Sequence, residues 1–309
     1  MIHITTTDIK THMNKPTVVT IGNFDGMHRG HMSLMTEATT YAKTHGLLSV
    51  VLSFTPHPRD VVNQLDVQHI FSSEEKRRFV ENLGVDVFIE YPFDLAFASQ
   101  SPQFFLEDIL KAQLSPQAIF VGENYRFGTK GAGDVMLMQS YCAEQGIHVH
   151  IQPLLTEGDT VLCSSTVRQA ILAGDMREAS HILGRPFSVE AHVVPGDQRG
   201  RKMGFPTANI IPNDPKKILP KLGVYITRTI IDGETTQSIT NVGYNPTFEG
   251  QHLVIETFIL NFSRDIYDQH IEVQFLEHLR GEQKFDSMEA LITQITQDVA
   301  EAKAYHGLV

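Results

Sequence analysis

The run Val18-Val19-Thr20-Ile21-Gly22-Asn23-Phe24-Asp25-Gly26-Met27-His28-Arg29-Gly30-His31 constrains this chain more than any other stretch. Its first four residues are apolar or β-branched, as in a strand buried on both faces. Gly22 breaks the strand, Asn23, Asp25 and Gly26 favour a turn, and a helix is predicted from near His31. Two histidines three residues apart at a helix start lie near the same face. They join the free N–H groups and positive dipole end of that helix. Gly22 and Gly30 leave room for a ligand to approach the backbone. The combination suits a phosphate that gains negative charge as it reacts. A plain βα turn with two exposed histidines is the bland alternative, and the strand-turn-helix context weighs against it.

The segments that follow repeat the theme. A helix to His45 ends at Gly46, a strand spans Leu47 to Leu52, and Pro56-His57-Pro58 forms an irregular loop. Ser72 and Glu75 make a capping box, Val85 to Ile89 is strand-like, and Ser101-Pro102 opens another helix. Ala118 to Val121 is a strand leading to Asn124; a helix near Asp134 to Gln145 and a strand at Ile147 to Ile151 complete the series. Alternation of this kind predicts a mostly parallel sheet covered on both faces, with ligands beyond the strands' carboxyl ends. The loops at His28, His57 and Asn124 all follow strands and are expected to converge there. Ser164 and Ser165 open a helix; alone they read as caps, but Arg168 beside them makes an anion site.

After Gly184 the pattern changes to alternating runs: Phe187 to Val194, Val224 to Ile230, His252 to Phe262 and Ile271 to Phe275. Turn formers separate them, so an antiparallel barrel or sandwich is expected, closed by a helix from about Ser287 to Ala304. In Gly204-Phe205-Pro206-Thr207-Ala208-Asn209, the Thr207 hydroxyl and Asn209 amide sit two residues apart on one face of an extended chain. They can hold a magnesium ion shared with nucleotide phosphates. Glu256 interrupts an apolar row of Val254, Phe258, Leu260 and Phe262, read here as core-facing. A carboxylate there is costly unless partnered or used; a bulge or salt bridge is the alternative to a general base.

Composition sets the limits. At 309 residues two domains are expected. A formal charge of −11 argues against nucleic-acid or anionic-membrane partners. Two cysteines, Cys142 and Cys163, exclude a disulfide scaffold and suggest no zinc site. The start of the chain carries no leader pattern and no apolar run reaches spanning length, so a cytoplasmic protein is expected.

The string Gly22 to His31 resembles the His-x-Gly-His nucleotidyltransferases, and specifically the bacterial bifunctional FAD synthetases, riboflavin kinase/FMN adenylyltransferases. The unbroken Gly-Phe-Pro-Thr-Ala-Asn at 204–209 resembles the riboflavin kinase motif. The resemblance covers nearly the whole chain. It implies a Rossmann-like FMN adenylyltransferase domain over 1–184 and a riboflavin kinase barrel with a terminal helix over 185–309. It implies His28, His31, Arg168 and Glu256 as catalytic residues. Gly22, Phe24, Asp25, Gly30, Asn124, Ser164 and Ser165 would bind nucleotide in the first domain. Gly196, Arg201, Lys202, Thr207 and Asn209 would do so in the second. Thr207 and Asn209 would hold Mg2+ with ATP, and Pro56, His57 and Arg280 would meet the flavin. Substrates and products are ATP, riboflavin, FMN and FAD. Ser165 stands where the family usually has Thr, Phe258 where His is common and Asn261 where Asp is common. The last two leave open an adenylyltransferase with a weak or silent kinase half. A non-catalytic flavin-sensing regulator is the more distant alternative.

Overall fold

A computed structural model describes residues 1–63, 68–158, 160–196, 200, 203–247 and 250–308. Its contacts fall into two compact units, Met1–Ser164 and Ser165–Val309.

In the first unit β1 (Ile2–Ile4), β2 (Thr17–Ile21), β3 (Leu48–Thr55), β4 (Val87–Pro92), β5 (Pro116–Gly122) and β6 (His148–Gln152) form one parallel sheet. Its spatial order is β1-β4-β3-β2-β5-β6. The chain winds outward from β2 through β3 to β4, then returns to the other side of β2 with β5. The winding therefore reverses between β2 and β5, where ligand crevices of such sheets lie. All five residues of β2 are buried. Val19 and Ile21 pack with Leu52, Ile89 and Leu110 on one face. Val18 packs with Phe88, Phe120 and the helical Leu34 and Met35 on the other.

Local signals act as read. Helix α1 (Arg29–His45) stops at Gly46, whose φ of 68° is the left-handed conformation a helix terminator needs. Helix α2 (Ser73–Asn82) starts with the capping box: Glu75 N donates to Ser72 Oγ at 3.1 Å and Ser72 N to Glu75 Oε2 at 2.7 Å. Phe104 N donates to Ser101 Oγ at 3.1 Å, capping the helix that Pro102 begins. Asp134 caps α3 (Val135–Glu144) in the same way.

Helix α4 (Ser164–Ala173) starts on the last residue of the first unit, and α5 (Met176–Leu183) lies in the second. A closed antiparallel barrel follows: β7 (Phe187–Val194), β8 (Ala208–Pro212), β9 (Gly223–Ile231), β10 (Glu234–Thr247), β11 (Gly250–Ile259) and β12 (His270–Arg280). The order is β7-β8-β11-β10-β9-β12, closed by the pairing of β12 with β7. The contact division precedes the boundary expected at Gly184, because α5 packs against β7 and β12. Helix α6 (Met288–Tyr305) lays Val299 and Ala302 on Val224, Ile226 and Ile239.

One expectation is inverted. The buried row of β11 is Ile255, Thr257 and Ile259, while Val254, Glu256 and Phe258 form the outer, half-covered row. The strand ends at Ile259, and Asn261 turns the chain at a φ of 55°. Leu260 and Phe262 are thus beyond the strand and carry no information about its phase. Inside the barrel, Thr227, Thr229, Ser238, Thr240 and Thr257 are all fully buried. Their hydroxyls satisfy one another at 2.8–3.0 Å.

Candidate active sites

Beyond the carboxyl end of β2, residues 22–28 make a tight turn. Phe24 and Met27 take φ values of 51° and 44°, a left-handed conformation that costs a bulky side chain roughly 1–3 kcal/mol each. Burial of both side chains holds them there. Phe24 folds its ring back over Gly22, where a Cβ would stand 2.8 Å from it. The room at Gly22, expected for a ligand, is taken by the chain's own phenylalanine. Asp25, also expected to meet nucleotide, is buried; its Oδ1 accepts from Ile70 N at 3.0 Å and Phe71 N at 3.2 Å. Both residues shape the turn. Within the first unit, the Ser164 hydroxyl donates to the Asp25 carbonyl at 2.7 Å.

The turn delivers His28 and His31 to the N-terminus of α1, with His28 as the cap residue. Their rings stack with centroids 3.6 Å apart and planes inclined by 28°. Phe24 meets His31 edge-on at 5.2 Å. Burial, then the His28 and Lys76 charges, hold His31 well below its ordinary 6.5. It is a neutral imidazole whose Nδ1 is buried and accepts or donates no hydrogen bond among the described residues. Gly30 lies against the His28 ring, and its carbonyl accepts from Gln152 Nε2 at 3.4 Å from the end of β6.

His57 follows a cis Thr55–Pro56 bond. Desolvation pulls its imidazole down to about 4, against the opposing charge of Asp25 in the turn. Asn124 is exposed on the loop after β5, the neighbour of β2. Ser165 and Arg168 lie on the first turns of α4, after Ser164. Lys76, buried on α2, acts electrostatically on both His31 and His57, and no motif in the sequence marks it.

In the barrel, Asn209 of β8 stands directly opposite Glu256 of β11, and Glu256 directly opposite Asn241 of β10. The three side chains form one row on the outer face. A Cβ on Gly196 would collide with the Asn209 amide, and one on Gly200 would lie 3.2 Å from the Thr207 hydroxyl. Both glycines therefore make way for expected ligand groups. Glu282 packs against Gly243 and accepts from Tyr244 N at 3.3 Å, beside Asn241. Asn241 and Glu282 were not expected; register alone brings them here. Arg201 and Lys202 lie outside the described residues. Arg280 is committed to Asp298 of α6: Nε reaches both carboxylate oxygens at 3.0 and 3.1 Å, and a terminal nitrogen reaches one at 2.7 Å. Phe258 packs edge-on against Phe205 at 5.6 Å. No group of three His, Cys, Asp or Glu among the described residues can hold a metal ion. The hydroxyl and amide oxygens of Thr207 and Asn209 are nevertheless hard donors that fit Mg2+ when phosphate and water oxygens complete its shell.

A parallel sheet with a phosphate-type helix start, followed by a closed barrel with an acid–amide row, defines the class as nucleotide-dependent transferases built in two units. The family model of FAD synthetase matches residues 10–166, and that of riboflavin kinase matches residues 183–306. The bifunctional riboflavin kinase/FMN adenylyltransferase of Listeria monocytogenes is 37% identical over 306 residues, covering 98% of this chain and 96% of that protein. That of Escherichia coli K12 is 33% identical over 94% of this chain and 93% of its own. A crystal structure described as a macrolide-efflux protein from Streptococcus pneumoniae matches with a TM-score of 0.89 and 30% identity, covering 98% of this chain and 99% of that one. Among the described residues here, no helix is long and apolar enough to cross a membrane. The chain belongs to the bifunctional riboflavin kinase/FMN adenylyltransferase family.

Proposed function

We propose that the two activities of this family run on separate residue sets, adenylyl transfer on 1–184 and phosphoryl transfer on 185–309. Support comes from each unit having its own phosphate-transfer cluster: the stacked histidines at α1, and the Asn209–Glu256–Asn241 row.

In the kinase half the riboflavin 5′-hydroxyl attacks the γ-phosphorus of ATP and ADP leaves. Glu256 takes the hydroxyl proton. Thr207 and Asn209 hold Mg2+, which when bound neutralises charge on the ATP phosphates. The family resemblance assigns Gly196, Arg201 and Lys202 to the nucleotide. Arg280 serves the flavin side by fixing the segment that follows it against α6. Phe258 packs against Phe205 and Asn261 turns the chain, and the riboflavin assay below distinguishes an active kinase half from a weak one.

In the other half an FMN phosphate oxygen attacks the α-phosphorus of ATP, and pyrophosphate leaves. No proton transfer is needed. His28, His31 and the N–H groups opening α1 stabilise the charge that builds at the α-phosphate, a role that favours preorganised donors. Asn124, Ser164, Ser165 and Arg168 hold nucleotide and phosphates. Pro56 and His57 border the flavin. Phe24 and Asp25 act through the shape of the turn. The net charge and the sparse cysteines support a cytoplasmic protein with small-molecule partners. Separate assays of riboflavin and of FMN with MgATP test the proposal: each flavin is consumed, the first to FMN and the second to FAD.

A further inference from the structure

Lys76 is only 8% exposed, and no carboxylate lies within ion-pair distance of its ammonium among the described residues. Burying an ammonium without such a partner costs several kcal/mol, so its retention calls for a compensating role. Among the described residues its ammonium makes one hydrogen bond, a long one, Nζ to Ser53 Oγ at 3.5 Å. Ser53 in turn donates to the Asn23 carbonyl at 3.2 Å, inside the turn that sets the two histidines. The two acids whose charges act on it are occupied elsewhere. Glu90 takes His3 Nε2 at 2.9 Å and the Ser73 hydroxyl, and Asp25 takes two backbone N–H groups.

We propose that Lys76 is a positioning residue of the adenylyl-transfer site, a buried ammonium beneath the 22–28 turn that supplies its positive field to phosphate. This rests on the reading of 1–184 as the FAD-forming half. The charges around the site agree. His31 meets the stacked His28 and Lys76; His57 meets Asp25, Lys76, Asp60 and Arg59. Lys76 itself meets Glu90 and Asp25, which oppose its desolvation. The buried His31 imidazole, held low, then stays neutral while a fixed cation draws the anion.

The test uses the full chain with Lys76→Met, Lys76→Arg and Ser53→Ala. Imidazole titrations by NMR and the kcat and KM for FMN with MgATP are measured on each. In Lys76→Met, His31 and His57 titrate at higher pH, and kcat/KM for FAD formation falls roughly tenfold or more. That loss partly recovers as pH falls and a histidine takes up the missing charge. Lys76→Arg keeps most activity, and Ser53→Ala keeps wild-type titrations with a rate within a few-fold. A folded Lys76→Met with unmoved titrations and rate overturns the proposal. So does a Ser53→Ala loss as deep as that of Lys76→Met, which would make the lysine an anchor; this arm decides if Lys76→Met does not fold. If the wild-type chain makes no FAD while Lys76→Met still shifts both titrations, the functional reading fails and the charge coupling stands.

Discussion

Glu256 stands directly opposite Asn209 across the β8–β11 ladder, with both side chains on the outer row of the barrel. Residues opposite in an antiparallel pair have Cβ atoms about 4.5–5.5 Å apart, the span over which a carboxylate and an amide can serve one ligand. Glu256→Gln keeps the size and much of the hydrogen bonding but cannot take a proton. Riboflavin phosphorylation should fall about 10²–10⁴-fold, while FMN supplied directly is still converted to FAD. Flavin product analysis beside a thermal midpoint separates this from a structural role, which would lower the midpoint with modest kinetic loss.

Gly196→Ala should act on the same row from the other side. Its Cβ would collide with the Asn209 amide, and forced displacements of this kind cost typically about 1–3 kcal/mol. The expected outcome is a raised KM for MgATP in riboflavin phosphorylation, with FAD formation from FMN unchanged. Steady-state kinetics of both reactions on one preparation check it.

The Arg280–Asp298 pair is a stability element. Asp298 is 3% exposed and accepts three hydrogen bonds from Arg280. Removing one partner of a buried pair leaves the other charge uncompensated and costs about 3–5 kcal/mol. Asp298→Ala should lower the denaturation midpoint of the barrel, read by intrinsic tyrosine fluorescence in urea, and leave the first unit's transition in place.

Folding lowers the affinity of His57 and His31 for protons, so the unfolded chain binds protons more strongly. Their contribution to stability is therefore full above pH 6.5 and is lost as pH falls toward about 4 for His57. The urea midpoint of the first unit should drop from pH 7 to pH 5, and His57→Gln should shrink the drop. An equal drop in both proteins would remove His57 from the effect.

The sheet, the helix starts and the barrel were legible because their signals are local. β2 is apolar throughout, Ser72 and Glu75 cap α2 reciprocally, and Gly46 has no side chain to resist its left-handed turn. β10 was not legible, since its inward positions Ser238 and Thr240 are hydroxyls matched by Thr227, Thr229 and Thr257 across the barrel. A strand satisfied by cross-strand hydroxyls has no apolar alternation to read. The same Thr257 put the phase of β11 out by one residue. In the sites, His28, His31, Thr207 and Asn209 sit in motifs. Asn241 and Lys76 reach their places by register and by a helix docking on a sheet, which no short string encodes.

The central claim, two activities on two residue sets, is tested most directly by separating flavins after riboflavin and MgATP are mixed with wild-type chain, His31→Ala and Glu256→Gln. The wild-type chain should give FMN first and then FAD. His31→Ala should stop at FMN, and Glu256→Gln should leave riboflavin unchanged yet convert added FMN to FAD. A single substitution that abolishes both steps in a folded protein would contradict the account.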